Sequence, residues 1–445
     1  MPAQMTEKRS AKQFVKPPVY TPSLVLDRLA SPQVFVPCFE ALFHLLGRRK
    51  GNQTDLRNPD VKSILVVKLD RIGDVILALP FLRELRRLFP AARISLVTDK
   101  RVSNLLEISP YINEVFSLEC KNWLPSSPSR RWKDWLTAFV LAATKLWRHR
   151  FDLAITLSWD TDNHYAGAIA YLSGAPMRLG YSEQTHDVKK IANANYDLLY
   201  THVLNEPACK HEVEHNLHII TALGGTPTAD TLEIQIDKSD EVFAANFLSR
   251  LPQENNDGPL VAVCPSAAVP YKVWPMTRFT ELVQWMIDRY GARILIVGST
   301  EDGAVAQQLN SSLTGHVLNS AGLTTLRQCA ALLKNCDLYL GNDTGPMHIA
   351  AAFNVPVVGI SAHPADGEKY VGISPLRFGP WKTKAHIVQP PLAQDNCAHT
   401  GRNSNGSTYP KWCASSEAHC ILQVTVEDAR KAVQSMLDEV LLTTR

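Results

Sequence analysis

Two short turns, one in each half of the chain, join an apolar run to a segment with helical periodicity. In the first half, the run SILVVKL at 63–69 leads through DRIGD at 70–74 into an amphipathic segment. In the second half, the run at 336–340 leads through GNDTGPMH at 341–348 into another helical segment. Continuous apolar runs of this length are typical of strands buried on both faces of a parallel sheet. The two turns therefore predict two doubly wound α/β domains that face a cleft.

Strands and helices alternate along most of the chain, as expected for parallel sheets with helical crossovers. Strands are predicted at 63–69, 93–98, 114–118, 151–157, 177–181, 260–264, 293–297, 316–318, 337–340 and 355–360. We predict an extension over 1–60, a first α/β domain over 61–240 and a second α/β domain over 241–425. The linker between the domains is placed at 224–241, where we expect turns and one strand. A last helix over 426–445 is expected to pack back on the first domain.

Composition excludes several classes of protein. At 445 residues the chain is long enough for two cores, and 45% hydrophobic with 20% charged residues is ordinary for a soluble protein. The net charge of +3 gives no reason to expect nucleic-acid binding. The first residues are polar, and no apolar run approaches the ~20 residues of a spanning helix, so we expect a cytoplasmic protein. Nine scattered cysteines favour reduced thiols over a disulfide framework.

A basic segment over 130–150 combines six Lys or Arg residues with three Trp on one predicted helix face. Such a helix could lie on an anionic membrane, and a second basic cluster follows a short predicted helix, at 48–50. The simpler interpretation, which we favour, is a surface helix that packs its apolar face on its own sheet. Weak contact with the inner membrane surface is kept as a hypothesis.

The turn at 341–348 has the features of an anion site. Helix starts carry unpaired backbone N–H groups and partial positive charge, which suit a nucleotide diphosphate. Asp343, Thr344, Gly345 and His348 are the candidate residues there for holding a phosphate or a ribose. The alternative is a tight turn with Asp343 or Thr344 as the helix N-cap. Neither turn carries the G-x-G-x-x-G pattern of dinucleotide binding, so no cofactor is expected.

Four segments together resemble glycosyltransferase family 9, the ADP-heptose:lipopolysaccharide heptosyltransferases. They lie at 64–80, 151–181, 265–275 and 341–348, and the resemblance covers roughly residues 61–440. It implies a GT-B fold, a nucleotide-sugar donor, most simply ADP-heptose, and a lipid-linked glycan acceptor. It also implies that the domain over 61–240 binds the acceptor and that the domain over 241–425 binds the nucleotide sugar. It also implies inversion at the anomeric carbon and no required metal.

The resemblance also implies residue roles. Asp74 matches the family's proposed general base, and its alternative role is to cap its helix. Lys272 matches the family's phosphate-binding lysine, and Ser266 adds a hydroxyl in the same loop. The chain departs from the family there, since Ala267 and Ala268 stand where a hydroxyl pair is common. Glu301 matches an acid near the ribose, and it could equally interact only with the helix dipole.

On the acceptor side we expect Arg71, Gly73, Asp160 and Asp162. Asp160 and Asp162 also resemble a metal-binding D-x-D pair, but that signature belongs to another fold, and Lys272 already serves the diphosphate. Cysteines and histidines cluster before the last helix, and we favour thiols or a local disulfide over zinc because their spacing fits no standard zinc module. The members of that cluster are Cys397, His399, Cys413, His419 and Cys420.

Two other functions remain open from the sequence. A GT-B-fold epimerase or hydrolase would also bind a nucleotide sugar but would not need an acceptor. A non-catalytic nucleotide-sugar-binding protein would need no base, and the combination of Asp74, Lys272 and Asp343 argues against it.

Overall fold

The computed structural model describes residues 31–45, 55–57, 60–120, 128–251, 258–313, 317–367, 373–393 and 419–443. These residues form two six-stranded sheets, and neighbouring strands in both are parallel. The two facing domains are the architecture of the GT-B fold, as predicted.

The N-terminal sheet has the strand order β3-β2-β1-β4-β5-β6. Its strands are β1 (Ser63–Lys68), β2 (Arg93–Asp99), β3 (Glu114–Leu118), β4 (Leu153–Thr156), β5 (Met177–Tyr181) and β6 (His202–Leu204). The helices that precede or follow them are α1 (Pro32–Leu45), α2 (Ile72–Ile76), α3 (Leu79–Leu88), α4 (Lys100–Leu106), α5 (Pro128–Leu141), α6 (Ala166–Leu172), α7 (Asp187–Ala192) and α8 (Glu212–Ala222).

The C-terminal sheet repeats this plan with the order β12-β11-β10-β7-β8-β9. Its strands are β7 (Leu260–Cys264), β8 (Arg293–Ile296), β9 (Val317–Asn319), β10 (Leu338–Asn342), β11 (Val357–Ile360) and β12 (Ala385–Val388). Its helices are α9 (Lys238–Leu248), α10 (Met276–Tyr290), α11 (Gly303–Ser312), α12 (Leu326–Leu333), α13 (Gly345–Ala352), α14 (Pro375–Phe378) and α15 (Val426–Thr443).

Both faces of the central strands are covered, which explains their continuous apolar sequences. Along β1, Ile64 and Val66 belong to one apolar cluster, whereas Leu65 and Val67 belong to another on the opposite face. The first cluster extends across both domains, because Ala262 and other residues of β7 are part of it. The two domains are therefore packed against each other through apolar side chains.

The strand order reverses direction between β1 and β4 in one sheet and between β7 and β10 in the other. Doubly wound sheets bind ligands at such switch points, outside the carboxyl ends of the strands. The turn after β1 carries Asp74 and the turn after β10 carries Asp343. Both motifs singled out in the sequence therefore lie at ligand-binding edges.

Several element predictions differ from the structure. The single helix expected after β1 is two helices, α2 and α3, and Pro80 lies in the first turn of the second, where its missing N–H costs nothing. Strand β6 and helix α7 were not predicted, and the long Pro-rich loop after β11 contains α14 and β12. The linker predicted at 224–241 contains no strand, and its last residues begin helix α9, which was not predicted.

The C-terminal helix α15 packs on the C-terminal domain, not on the N-terminal domain as predicted. Its buried residues join the apolar cluster that contains β7 and α10; they are Ala429, Ala432, Val433, Met436 and Leu437. Polar contacts agree, since Arg430 pairs with Glu281 at 2.9 Å and Tyr290 donates to Asp438 at 3.1 Å. The helix is apolar on the face that covers its own sheet.

The basic segment is the helix α5, continued by a π-helical turn at Ala142–Leu146 and a 3-10 turn at Trp147–His149. Helix α1 covers its aromatic face: Phe35 lies 4.3 Å from Trp135 between ring centroids, and Phe43 packs edge-on against Trp147. Trp135 is thus buried and Trp147 is partly buried, and the side chain of Trp132 lies outside the described residues. This arrangement favours the sheet-cover interpretation.

Candidate functional site

A cavity of about 110 Å³ opens at the carboxyl end of the N-terminal sheet, against the C-terminal domain. It contains Asp74, Arg71 and Asp160, three residues expected from the sequence. Three residues of the C-terminal domain complete its wall, and they are Ile373, Arg377 and Phe378. The other lining residues are Lys68, Asp70, Leu157, Ser158, Trp159, Thr161, Asn163, His164 and Glu212.

Asp74 lies in the short helix α2, partly exposed to this cavity. Its Oδ2 atom accepts a hydrogen bond from the backbone N–H of Arg71 at 3.2 Å, so the capping alternative is also realised. Burial, reinforced by the carboxylates of Asp70 and Glu212, raises the pKa of Asp74 to about 7, although Lys68 opposes the shift. A carboxylate with this pKa is suited to act as a general base at neutral pH.

An ion pair between the buried Lys68 and the half-buried Asp70 lies near Asp74. The Lys68 ammonium, at the end of β1, lies 3.0 Å from Asp70 and also donates to the carbonyl oxygen of Leu157 at 3.3 Å. Burial opposes the charge on Asp70, but the neighbouring ammonium outweighs it and lowers the pKa of that carboxyl. Asp70 therefore stays ionised, and its charge keeps a proton on Asp74 up to a higher pH.

Arg377 reaches this cavity from the C-terminal domain. Its side chain is completely buried, bonds Asp160 at 2.9 Å and also pairs with Glu212. The guanidinium lies 4.8 Å from the ring centroid of Trp159 and 4.6 Å from that of Phe378. Although burial opposes its charge, Glu212 and Asp160 raise the pKa of Arg377, which is charged throughout the accessible pH range.

Asp160 and Asp162 have different environments. Asp160 lines the cavity, paired with Arg377 and 3.3 Å from the His186 Nε2 atom. Asp162 is buried, and its two oxygens accept from the backbone N–H groups of Ala166 at 2.9 Å and Gly167 at 2.8 Å. The carboxylate of Asp162 therefore caps the start of α6, since those N–H groups have no helical partner, and Asp162 is not among the residues that line the cavity. Its place on the acceptor side stays a prediction.

Lys272 and Asp343 form the centre of the predicted donor side. The Lys272 Nζ atom donates to Asp343 Oδ2 at 2.8 Å, and both residues lie at the carboxyl end of the C-terminal sheet. Burial opposes ionisation of Asp343, but Lys272 outweighs it and lowers the pKa of the carboxyl. The lysine is thus held as a fixed positive charge beside the start of α13.

The other donor-side residues surround that start. Thr344 is the N-cap residue of α13, and its hydroxyl lies 3.6 Å from Cys264 Sγ and 3.3 Å from Tyr339 OH. Ser266 is buried, with its Oγ atom 3.9 Å from Cys264 Sγ. Glu301 is exposed in a 3-10 turn after β8, where hydrogen bonding to Ser299 lowers the pKa of its carboxyl.

The two predicted turns touch across the domain boundary. A Cβ atom at Gly73 would come within 2.5 Å of the His348 ring, and one at Gly345 within 2.8 Å of the Ile72 side chain. Glycine is therefore required at both positions for helices α2 and α13 to approach this closely. Burial lowers the pKa of His348 to about 4, so its ring is neutral at pH 7 and packs as an uncharged group.

Lys68, Glu212, Arg377 and Asn342 are among the residues of the site that were not predicted. Lys68 was included in a predicted apolar strand, although a lysine in a buried strand itself indicates a nearby acidic partner. Glu212 and Arg377 lie 165 positions apart, and no local pattern joins them. Asn342, inside the predicted turn, fixes the loop after β7 by donating to the carbonyl of Pro265 at 2.9 Å and accepting from the N–H of Trp274 at 3.1 Å.

No three His, Cys, Asp or Glu side chains converge into a possible metal site within the described residues. Of the cysteine-rich loop, Cys397, His399 and Cys413 lie outside the described residues. Cys420 is buried, and its Sγ atom lies 3.4 Å from the Nδ1 atom of His419.

The family model of glycosyltransferase family 9 (heptosyltransferase) matches residues 141–406, more than half of the chain. The chain belongs to this family. It is therefore a glycosyltransferase, as the sequence predicted.

Among the relatives of this family 9 enzyme, lipopolysaccharide heptosyltransferase 2 of Escherichia coli K12 is 25% identical over 341 residues, which cover 74% of this chain and 88% of that protein. Two solved structures share the fold. A family 9 glycosyltransferase from Veillonella parvula has a TM-score of 0.65 at 22% identity and covers 86% of this chain and 98% of its own. The E. coli ADP-heptose lps heptosyltransferase II has a TM-score of 0.59 at 21% identity, with coverage of 85% and 99%.

Proposed function

We propose that this family 9 glycosyltransferase transfers heptose from ADP-heptose to a lipopolysaccharide core acceptor, with inversion at the anomeric carbon. The observation that carries the proposal is the position of Asp74, a carboxylate with a pKa of about 7 in an open cavity at the boundary of the two domains. The similarity to E. coli lipopolysaccharide heptosyltransferase 2 supports the choice of sugar and acceptor.

Asp74 is the proposed general base. An acceptor hydroxyl in the cavity would donate a hydrogen bond to its carboxylate and transfer the proton as the hydroxyl oxygen attacks the anomeric carbon. The nucleotide leaves from the opposite face of the sugar, which inverts the configuration. Arg71, Gly73 and Asp160 form the acceptor side, and Arg71 and Asp160 line the same cavity as the base.

Lys272 and the start of α13 are proposed to stabilise the leaving diphosphate. In the structure the ammonium is paired with Asp343, so a bound diphosphate would take over a cation that is already in place. Backbone N–H groups at the start of α13 add partial positive charge, and Ser266, Thr344, Gly345 and His348 surround it. Glu301 is proposed to bind the ribose.

We propose that the reaction needs no metal ion. The two carboxylates of the D-x-D pattern have other partners, because Asp162 caps α6 and Asp160 pairs with Arg377. The leaving-group charge would be met by Lys272 instead.

Acceptor-dependent release of ADP tests the function. Purified protein is incubated with ADP-heptose and a series of truncated lipopolysaccharide cores, and ADP and the product mass are measured. We expect ADP release only with an acceptor, together with a mass gain of one heptosyl unit. ADP release at the same rate without an acceptor would show a hydrolase, and interconversion of the donor sugar would show an epimerase.

We also propose weak peripheral contact with the anionic cytoplasmic leaflet, where a lipid-linked acceptor would lie. No helix in the described ranges is both long and apolar enough to cross a membrane. Leu136 and Val140 are half-exposed on α5, and Lys145, Arg148 and Arg150 are exposed after it. Anionic lipid attracts each such cation by ~1 kcal/mol. We expect co-sedimentation with anionic vesicles at low salt that is lost at high salt; absence of binding at low salt would contradict the proposal.

A further inference from the structure

Residues 373–382 of the C-terminal domain form a strap that docks on the N-terminal domain. At one end Arg377 enters the cavity between Trp159 and Phe378. At the other end Trp381 donates to the carbonyl of Asp230 at 2.8 Å and stacks on His211 with centroids 4.4 Å apart. The strap therefore brings a residue of the donor domain into the acceptor cavity.

The contacts of Arg377 cross the domain boundary and involve charge. Its guanidinium bonds Asp160, which follows β4, and Glu212, the first residue of α8, and both carboxylates belong to the N-terminal domain. The guanidinium is 0% exposed, and Glu212 is 3% exposed. A buried cation that has lost its carboxylate partners is strongly unfavourable, and so is a buried carboxylate that has lost its cation. These three groups therefore hold one another only when the strap is docked.

The same charges surround the base. The charged and titratable groups that face Asp74 come from β1, the turn after it, the β4 loop, α8, α13 and the strap; they are Lys68, Asp70, Arg71, Asp160, His164, Glu212, His348 and Arg377. Asp70 and Glu212 disfavour the ionised form of Asp74. Arg377 is the cation that pairs with Glu212 and Asp160, so it offsets two negative charges in the cavity that holds the base.

We propose that Arg377 is a positioning residue for the transfer reaction: by pairing with Asp160 and Glu212, it builds the acceptor wall and balances the charge around Asp74 when the domains are docked. The proposal rests on the proposed role of Asp74 as the base. The positive charge of Arg377 comes from the C-terminal domain, whereas Asp74 belongs to the N-terminal domain. Docking of the two domains therefore affects how easily Asp74 ionises.

Two opposite substitutions test the charge argument. R377Q removes a positive charge near Asp74, so the acidic limb of the kcat/KM profile should move to higher pH by ~0.5–1 unit. E212Q removes a negative charge that directly disfavours ionised Asp74, so the limb should move to lower pH. R377K retains the charge without the planar two-sided geometry, and it should keep the wild-type limb while raising KM for the acceptor.

A second readout needs no substrate. The difference in melting temperature between each variant with Asp74 and the same variant carrying D74N, followed against pH, reports the titration of Asp74. The titration should move up with R377Q and down with E212Q. If the wild-type chain shows no acceptor-dependent transfer while this titration still moves, the proposed function fails and the charge role of Arg377 stands.

K382A is the matched control. Lys382 belongs to the same strap and pairs with Asp230 at 2.7 Å, but its side chain is half-exposed and outside the cavity. We expect K382A to leave the pH profile unchanged. Equal pH limbs in R377Q, E212Q and the wild-type chain, by kinetics and by melting, would overturn the proposal and leave Arg377 a structural contact. The same shift with K382A would overturn it too, since strap docking alone would then explain the effect.

Discussion

Replacing Asp74 by Asn should have two separate effects: a loss of transfer activity and a gain in the stability of the fold. The amide keeps the size of the side chain and an oxygen that accepts from the Arg71 N–H, but it cannot take a proton. Loss of a general base typically slows a reaction by ~10²–10⁴-fold, so D74N should lose transfer activity by that factor with nearly unchanged donor affinity.

The same substitution should stabilise the fold. The pKa of Asp74 is raised from 3.8 to about 7, so its ionised form is less stable in the folded chain than in the unfolded chain. Each pKa unit corresponds to ~1.4 kcal/mol, which sets an upper limit of about 4 kcal/mol. Partial exposure of the carboxylate to solvent reduces this to about 1–2 kcal/mol. The cost is absent below pH ~4, grows as the pH rises and is complete above pH ~7.

Thermal unfolding of both proteins between pH 5 and pH 8.5 measures this effect. D74N should melt a few degrees higher than the wild-type chain at pH 8, and the difference should fall by more than half at pH 5. Asp288→Asn, at an exposed position on α10, is the matched control and should show no such trend. A D74N protein with full turnover at neutral pH, or with a melting difference that does not depend on pH, would refute the reasoning.

Three further predictions concern the donor side, the α6 cap and metal ions. K272A should weaken ADP binding by ~10–100-fold, because a charge-assisted contact is worth ~1.5–3 kcal/mol, and calorimetry with the exposed Lys145→Ala as a control measures it. Unchanged ADP affinity would place Lys272 outside the site. Asp162→Ala should lower the stability of the fold by ~1–2 kcal/mol through loss of the α6 cap, measured by denaturant unfolding. A variant that is as stable as the wild-type chain but has a raised acceptor KM would contradict the capping role and support a role of Asp162 in acceptor binding. EDTA should leave transfer unchanged, whereas activity that is lost in EDTA and restored by Mg²⁺ or Mn²⁺ would make Asp160 a metal ligand.

Local periodicity determined most of the fold. The apolar runs that predicted β1, β7 and β10 coincide with those strands to within a residue or two at each end, because a strand covered on both faces is mostly apolar. The turns at 70–74 and 341–348 were placed at the correct edge for the same reason, since each directly follows a central strand. Among the elements that were missed, β6, α14 and β12 are only three or four residues long and too short to show a period.

The tertiary structure alone decided which charges meet. Lys68, Glu212 and Arg377 come from three distant parts of the chain, and they surround Asp74 only because two sheets and a strap dock at one boundary. The tertiary structure also places Asp162 where its carboxylate caps the start of α6, and it packs α1 on the aromatic face of α5. A sequence pattern indicates which side chains of a segment are buried, but it does not indicate which other part of the chain packs against them. Burial and paired charge depend on that surface, and they set the pKa of the proposed base.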